Sequence, residues 1–195
     1  MLETLNTILF WLFLWILLWQ GYILIFNRGV PNIKTAKAIR KKIIEMVKKD
    51  CERRNIDKPV IYDLGAGNGD FSRDIARCIP NASVIGVEIS KLSIAKAKLF
   101  TKLAGIKNLT YRRDDIFQTD LSDADAIVFF LSAYEMGRMS EMLKTQNLKP
   151  DTMIISNRFA LHDWPPAQTL SVKTPIPKQG TVYVYKTSFK AIKHP

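Results

Sequence analysis

Cysteine and histidine are scarce: 195 residues contain two of each, Cys51, Cys78, His162 and His194. With no C-x-x-C spacing among them, neither a disulfide framework nor a zinc centre is expected to organise the fold, and no metal is expected. The G-x-S-x-G elbow that would present a serine nucleophile does not occur. Acids run short as well. Lys and Arg number 29 against 18 Asp and Glu, a formal net charge of +11. The imbalance is local, because residues 28–58 hold eleven Lys/Arg and only four acids.

Charge is missing altogether from Thr4 to Asn27, and Ile8 to Phe26 is apolar except for Gln20 and Gly21. Nineteen helical residues rise about 28 Å, close to the roughly 30 Å hydrocarbon core of a bilayer. A cleaved signal peptide would start basic and end in a small-x-small site, whereas the only early charge here is Glu3. Residues 4–27 therefore read as a single-pass transmembrane or signal-anchor helix, with Trp11, Trp15, Trp19 and Tyr22 on one face. The basic cluster that follows predicts an outside N-terminus and a folded part on the cytoplasmic side. Within residues 28–58, Ile33 to Asp50 reads as a basic amphipathic helix, with Ile33, Ala36, Ile39, Ile43, Met46 and Val47 at helical spacing. It lacks the interleaved aromatics of a nucleic-acid surface, so no nucleic-acid partner is expected; its lysines suit an anionic leaflet.

The most informative stretch is Val60-Ile61-Tyr62-Asp63-Leu64-Gly65-Ala66-Gly67-Asn68-Gly69-Asp70, followed about twenty residues on by Val84-Ile85-Gly86-Val87-Glu88. Each apolar strand ends in an acid, and a glycine-rich turn follows the first. That order suits a nucleoside held across the carboxyl edge of a parallel sheet, the second acid gripping the ribose. The spacing is G-x-G-x-G, not the G-x-G-x-x-G that receives a pyrophosphate. Asp63, Asp70, Glu88 and, beyond a short third strand, Asp115 line the expected edge. Carboxylates repel phosphate and attract a cation. S-adenosylmethionine fits, being an adenosine with a sulfonium, an amino group and no phosphate.

Residues 59–190 read as one α/β domain. Strands are predicted at 60–64, 83–88, near 109–112, 126–131 and 152–158, with helices at 70–79, 91–104 and 134–146. Ser90 is positioned to cap the second of these helices and Gly105 to stop it. Residues from Leu170 and from Thr181 to Lys186, separated by Pro175, Pro177 and Gly180, predict a closing hairpin. The sum is a Rossmann-like, mostly parallel seven-stranded sheet with an antiparallel last strand.

On these residues the chain resembles the class I, seven-strand S-adenosylmethionine-dependent methyltransferases. Val30-Pro31 before the basic helix, Arg158-Phe159 after the fifth strand and Trp164 beyond it are similar to the protein-lysine methyltransferases related to the ATP synthase c-subunit lysine methyltransferase and its archaeal relatives. Asn68 and Ser90 depart from the pattern, at positions where many relatives have an acid and an asparagine. The resemblance implies that Glu88 accepts the ribose hydroxyls, Asp115 the adenine amino group, and that Gly65, Gly67 and Gly69 lie against the cofactor with Asp63 facing its cationic end. It implies a protein-lysine acceptor, for which a membrane protein is a candidate, and no assigned catalytic residue. Phe129, Phe130, Tyr134, Phe159 and Trp164 are candidates to line the acceptor channel. Phe129-Phe130-Leu131-Ser132 carries no Asn-Pro-Pro-Tyr signature, which argues against amide or adenine acceptors. Two other readings stay open: methylation of a lipid-soluble small molecule such as a quinone precursor or lipid headgroup, and a non-catalytic cofactor-binding module.

Overall fold

A computed structural model describes residues 2–27, 35–174 and 180–187. At its centre is β1 (Val60–Leu64), whose alternating side chains separate two hydrophobic layers. Ile61 points to one side and Tyr62 and Leu64 to the other, and all three are buried. Around β1 the chain adds α3 (Asp70–Cys78), β2 (Ser83–Glu88), α4 (Lys91–Leu103), β3 (Leu109–Arg113), β4 (Ala126–Phe129), α5 (Met136–Thr145), β5 (Met153–Asn157), β6 (Gln168–Ser171) and β7 (Thr181–Lys186). The seven strands lie in the order β3-β2-β1-β4-β5-β7-β6. The first five are parallel, β7 runs antiparallel to β5, and β6 pairs antiparallel with β7. The expected mixed seven-stranded sheet is what forms.

Helix α2 (Lys37–Arg53) precedes β1 and shares one layer with α3 and α4, packing Ile39, Ile43 and Val47 against Ile61, Val128 and Ile155. On the other face α5 packs Met136, Met139 and Leu143 against Tyr62, Ile127, Phe129 and Tyr185. A parallel sheet covered on both faces needs continuous apolar strands, which Ala126–Phe129 and Met153–Ile155 supply.

Several boundaries differ from expectation for local reasons. The basic helix continues three residues past Asp50, whose buried carboxylate is held by Arg53, Arg54 and Lys186. Its expected first residue, Ile33, lies outside the described residues, as do Val30, Pro31, Pro175, Pro177 and His194. Strand β4 stops at Phe129, not Leu131, because its last partner is Leu64, after which β1 turns into the glycine loop. The helix predicted over 134–146 divides into a 3₁₀ turn, Ala133–Glu135, and α5. A capping box at Ser132, whose N–H and hydroxyl both donate to Glu135 Oε2 at 2.9 Å, starts that turn. Ser90 does cap α4, its Oγ accepting from Ser93 N–H at 3.3 Å, and Gly105 ends it at φ 66°.

The N-terminal α1 (Leu2–Asn27) includes one stretch long and apolar enough to cross a membrane, Glu3–Tyr22, none of it buried. Its aromatic stripe stacks along the helix, with ring centroids 5.9 Å apart for Trp15–Trp19 and 6.1 Å for Trp19–Tyr22.

Candidate active site

The strand register decides the site. Leu64 lies beside Val87 on one side and Phe129 on the other, so β1, β2 and β4 end together at one rim. There Gly65 and Ala66 both donate backbone N–H to Val87 O at 2.9 Å, which folds the chain sharply out of the sheet. Gly65, Gly67 and Gly69 take φ of 77°, 54° and 74°, the left-handed region that a side chain disfavours. At Gly69 space is a second reason: an added Cβ would lie 2.1 Å from Tyr111 Oη.

Glu88 closes β2 and ties the loop together. Its Oε2 accepts Gly67 N–H at 2.9 Å and its Oε1 accepts Ser90 N–H at 2.8 Å. A carboxylate oxygen has two acceptor directions, so each retains one for a ligand hydroxyl. The two backbone bonds fix the plane of the carboxylate, and a diol is the natural partner for what remains.

Asp63 reaches the same rim but is enclosed. Its carboxylate is 4% exposed and accepts the Ser72 hydroxyl at 2.5 Å. Burial pushes it up to about 6; the Ser72 hydrogen bond opposes the rise and the neighbouring Glu88 charge adds to it. So enclosed, the Asp63 carboxylate offers the rim its charge more than an open acceptor. Asp115 lies just past β3, half-buried, with Oδ1 accepting Phe117 N–H at 3.0 Å. Arg138 approaches its Oδ2 at 3.8 Å while lying 3.9 Å over the Phe117 ring. The structure therefore brings Asp63, Glu88 and Asp115 to three successive strand ends on one edge.

Of the five channel candidates, Trp164 and Tyr134 stand in contrast. Trp164 is half-buried against Tyr185, with centroids 5.9 Å apart, beside partly buried Phe159. Tyr134 projects from the 3₁₀ turn with 96% of its surface exposed and no wall around it. Phe129, for which the sequence leaves core and channel both open, is core: at 2% exposure it lies beneath the rim, as the fourth residue of a strand buried at every position.

Three residues that hold the site were absent from the sequence reading. The Tyr111 ring fills the space beneath the loop, its hydroxyl 3.1 Å from Thr101 Oγ1 and 3.5 Å from Gly69 O. Arg73 clamps the loop's end, donating to Asn68 O at 2.8 Å and to Asp70 at 2.5 Å. Ser72 holds Asp63. The glycines at 69 and 86 are a trace of Tyr111 alone, since a Cβ at Gly86 would also meet its ring, at 2.7 Å.

The rim can hold a cationic nucleoside: carboxylates for a diol and an amino group, and a loop whose three glycines let backbone approach a ligand. Among the described residues no cluster of three or more His, Cys, Asp or Glu is arranged for a metal.

Comparison with known proteins agrees with that chemistry. Residues 63–168 match the family model described as the ANTKMT methyltransferase domain. A curated protein-lysine N-methyltransferase from Saccharolobus islandicus is 26% identical over 160 residues, 80% of this chain and 92% of that one. The crystal structure of an RNA methyltransferase from Salinibacter ruber in complex with S-adenosyl-L-homocysteine superposes with a TM-score of 0.65 at 27% identity, covering 84% of this chain and 97% of that one. Magnesium protoporphyrin IX methyltransferase from Synechocystis PCC 6803, with bound S-adenosylmethionine, shares the fold at a TM-score of 0.60 and 16% identity, over 88% of this chain and 96% of that one.

Proposed function

The chain belongs to the ANTKMT methyltransferase-domain family and is a class I S-adenosylmethionine-dependent methyltransferase; from that premise we propose that it methylates lysine on a protein while anchored to a membrane. The observation that carries the lysine assignment is the alignment with the Saccharolobus islandicus protein-lysine N-methyltransferase, which runs through 92% of that protein. When bound, S-adenosylmethionine supplies an electrophilic methyl group.

The chain's own residues have three tasks. The first is to hold and orient. Glu88 offers its two free acceptor directions to the ribose hydroxyls, Asp115 accepts from the adenine amino group, and Gly65, Gly67 and Gly69 let backbone lie against the rest. The second is to balance charge, which Asp63 and Glu88 do jointly. The third concerns the acceptor. A lysine with an ordinary value near 10.4 costs about 4–5 kcal/mol to deprotonate at neutral pH, and an apolar wall lowers that cost by disfavouring the ammonium. Phe159 and Trp164 form such a wall beside the rim, and exposed Tyr134 stands where an incoming protein segment first makes contact. Alignment of nucleophile and methyl is the chief remaining requirement, so no strong general base is demanded.

Residues 4–27 form the anchor in this reading, 28–58 a basic linker and helix, and 59–190 the catalytic domain on the cytoplasmic side. The support is the unburied stretch Glu3–Tyr22, uncharged after its first residue, followed by a lysine-rich segment.

The test is to incubate membranes lacking the endogenous enzyme with the purified chain and methyl-labelled cofactor. Label is expected in gel-resolved protein and, after acid hydrolysis, in methyl-lysine. Label confined to an organic extract would overturn the lysine assignment in favour of a lipid-soluble acceptor. The Salinibacter ruber neighbour favours a second reading, methylation of RNA. Nuclease-sensitive label would select it.

A further inference from the structure

Helix α4 is apolar on both sides. Ile94 and Ala97 face the sheet and are buried. Yet Leu99, Phe100 and Leu103 are 54%, 50% and 73% exposed, the largest apolar side chains on the described surface of the catalytic domain apart from Tyr134. At 100° per residue Leu92, Leu99 and Leu103 fall on one outward stripe, with Phe100 at its edge. Lys91, Lys98 and Lys102 flank that stripe and Lys96 interrupts it, all exposed. From Lys91 to Arg113 no acidic residue occurs. Further along the same layer, beside α3, α2 presents Lys37, Lys41, Lys48 and Lys49 to solvent.

We propose that this helix layer, and α4 in particular, is a second membrane contact: Leu99, Phe100 and Leu103 enter the headgroup–acyl boundary of an anionic bilayer while the flanking lysines meet its phosphates. An exposed leucine–phenylalanine stripe bordered by lysine is the pattern of a helix lying in an interface plane. Charge selects this occupant over a second copy of the chain. A symmetric dimer through α4 would bring each set of lysines against its twin, and α4 itself carries no acid to receive them. An anionic surface receives all of them, and those of α2 as well.

The consequence is orientation. Patch residues lie in the last turns of α4, remote from its N-terminus at Ser90, where the cofactor rim opens. Seated on this layer, the domain holds the rim facing along the bilayer, towards acceptors that project from the same membrane. The inference rests on the membrane reading of α1, and the experiment separates the two.

The full chain carrying Cys78→Ser and Leu103→Cys, with Cys51 buried, is labelled at position 103 with an environment-sensitive fluorophore. It is reconstituted into phosphatidylcholine vesicles with or without about one-third phosphatidylglycerol. Flotation with neutral vesicles reads α1; a blue shift and quenching by headgroup-proximal nitroxide lipid read α4. The probe at position 103 is expected to shift on anionic vesicles and much less on neutral ones. A probe placed by Glu141→Cys, on the opposite layer, should stay aqueous. Lys98→Gln with Lys102→Gln should lower the ratio of seated to lifted domain about 30-fold, and raised salt should do the same. A shift in detergent that grows with protein concentration would mean a second copy covers the patch, overturning the proposal. So would a probe that stays aqueous on anionic vesicles while the chain floats. Loss of flotation on neutral vesicles alone, with the anionic shift intact, would sink the α1 reading and leave this one standing.

Discussion

Replacing Asp63 with Asn should stabilise the fold and weaken the cofactor site at once. The carboxyl is enclosed, and burial, opposed by Ser72 and helped by Glu88, raises it from 3.8 to about 6. Below pH 3.8 both folded and unfolded chains hold this proton. Between 3.8 and 6 the folded chain keeps a proton the unfolded chain has released, so stability falls as pH rises through that window. Above it the full cost is present, about 3 kcal/mol. The rise to about 6 is already net of the Ser72 hydrogen bond, so Asp63→Asn removes the whole cost. A gain of about 3 kcal/mol at pH 7.5 should result, with the stability difference vanishing towards pH 4. Binding moves the other way. A carboxylate within roughly 8 Å of a cation, at an effective dielectric near 20, contributes about 2 kcal/mol, or about 30-fold in affinity. The wild-type affinity for S-adenosylmethionine should rise with pH across 6, and that rise should be absent from Asp63→Asn. Urea unfolding in detergent at pH 5 and 7.5 and calorimetry at the same values make the check. A variant less stable than wild type at pH 7.5, or one that binds equally well, would refute the reasoning.

The remaining predictions address other parts of the account. Gly69→Ala forces a Cβ to within 2.1 Å of the Tyr111 hydroxyl at a φ of 74°; cofactor binding should fall at least about tenfold while the far-UV spectrum is kept, the strain being of order 1–3 kcal/mol. Asp50→Asn leaves Lys186 and Arg54 without their buried acid and should cost about 3–5 kcal/mol in unfolding experiments. Burial alone would raise Asp50, but Lys186, Arg53 and Arg54 together outweigh it and hold it low. Its contribution is therefore full above the unfolded value and should disappear as pH falls through the lower folded one. Trp164→Ala should reduce protein methylation about tenfold or more, through loss of the apolar wall, with cofactor affinity unchanged; equal loss in both would assign Trp164 to the cofactor site instead.

What could be read from the sequence was what neighbours in the chain decide. Strand ends at Asp63 and Glu88 are marked by apolar runs meeting an acid, and the glycine loop by residues that alone tolerate left-handed backbone. The cap at Ser90 and the stop at Gly105 are equally local signals. Contacts between distant segments left almost no such mark, the glycines at 69 and 86 being a faint sign that something fills the space beside them. Tyr111 reaches Gly69 across 42 residues and Lys186 reaches Asp50 across 136, and nothing near either tyrosine or lysine announces it. The end of β4 depended on where β1 turned away, a property of its partner. Phe129 looked the same as Phe130 in the sequence, and only the pleat separates the buried ring from its half-buried neighbour. Asp63 was legible as an acid at a strand end, but Ser72 decides that it is enclosed.

The central claim is that the rim carboxylates hold the methyl donor, with Glu88 on the ribose. Glu88→Ala removes two charge-assisted hydrogen bonds to the diol, each worth about 1.5–3 kcal/mol, and frees the N–H groups of Gly67 and Ser90 that fixed the loop. Calorimetric titration of the full chain with S-adenosylmethionine should show binding by wild type and a loss of at least about 100-fold in this variant. An affinity within a few-fold of wild type, in a variant that unfolds at the same temperature, would contradict the account.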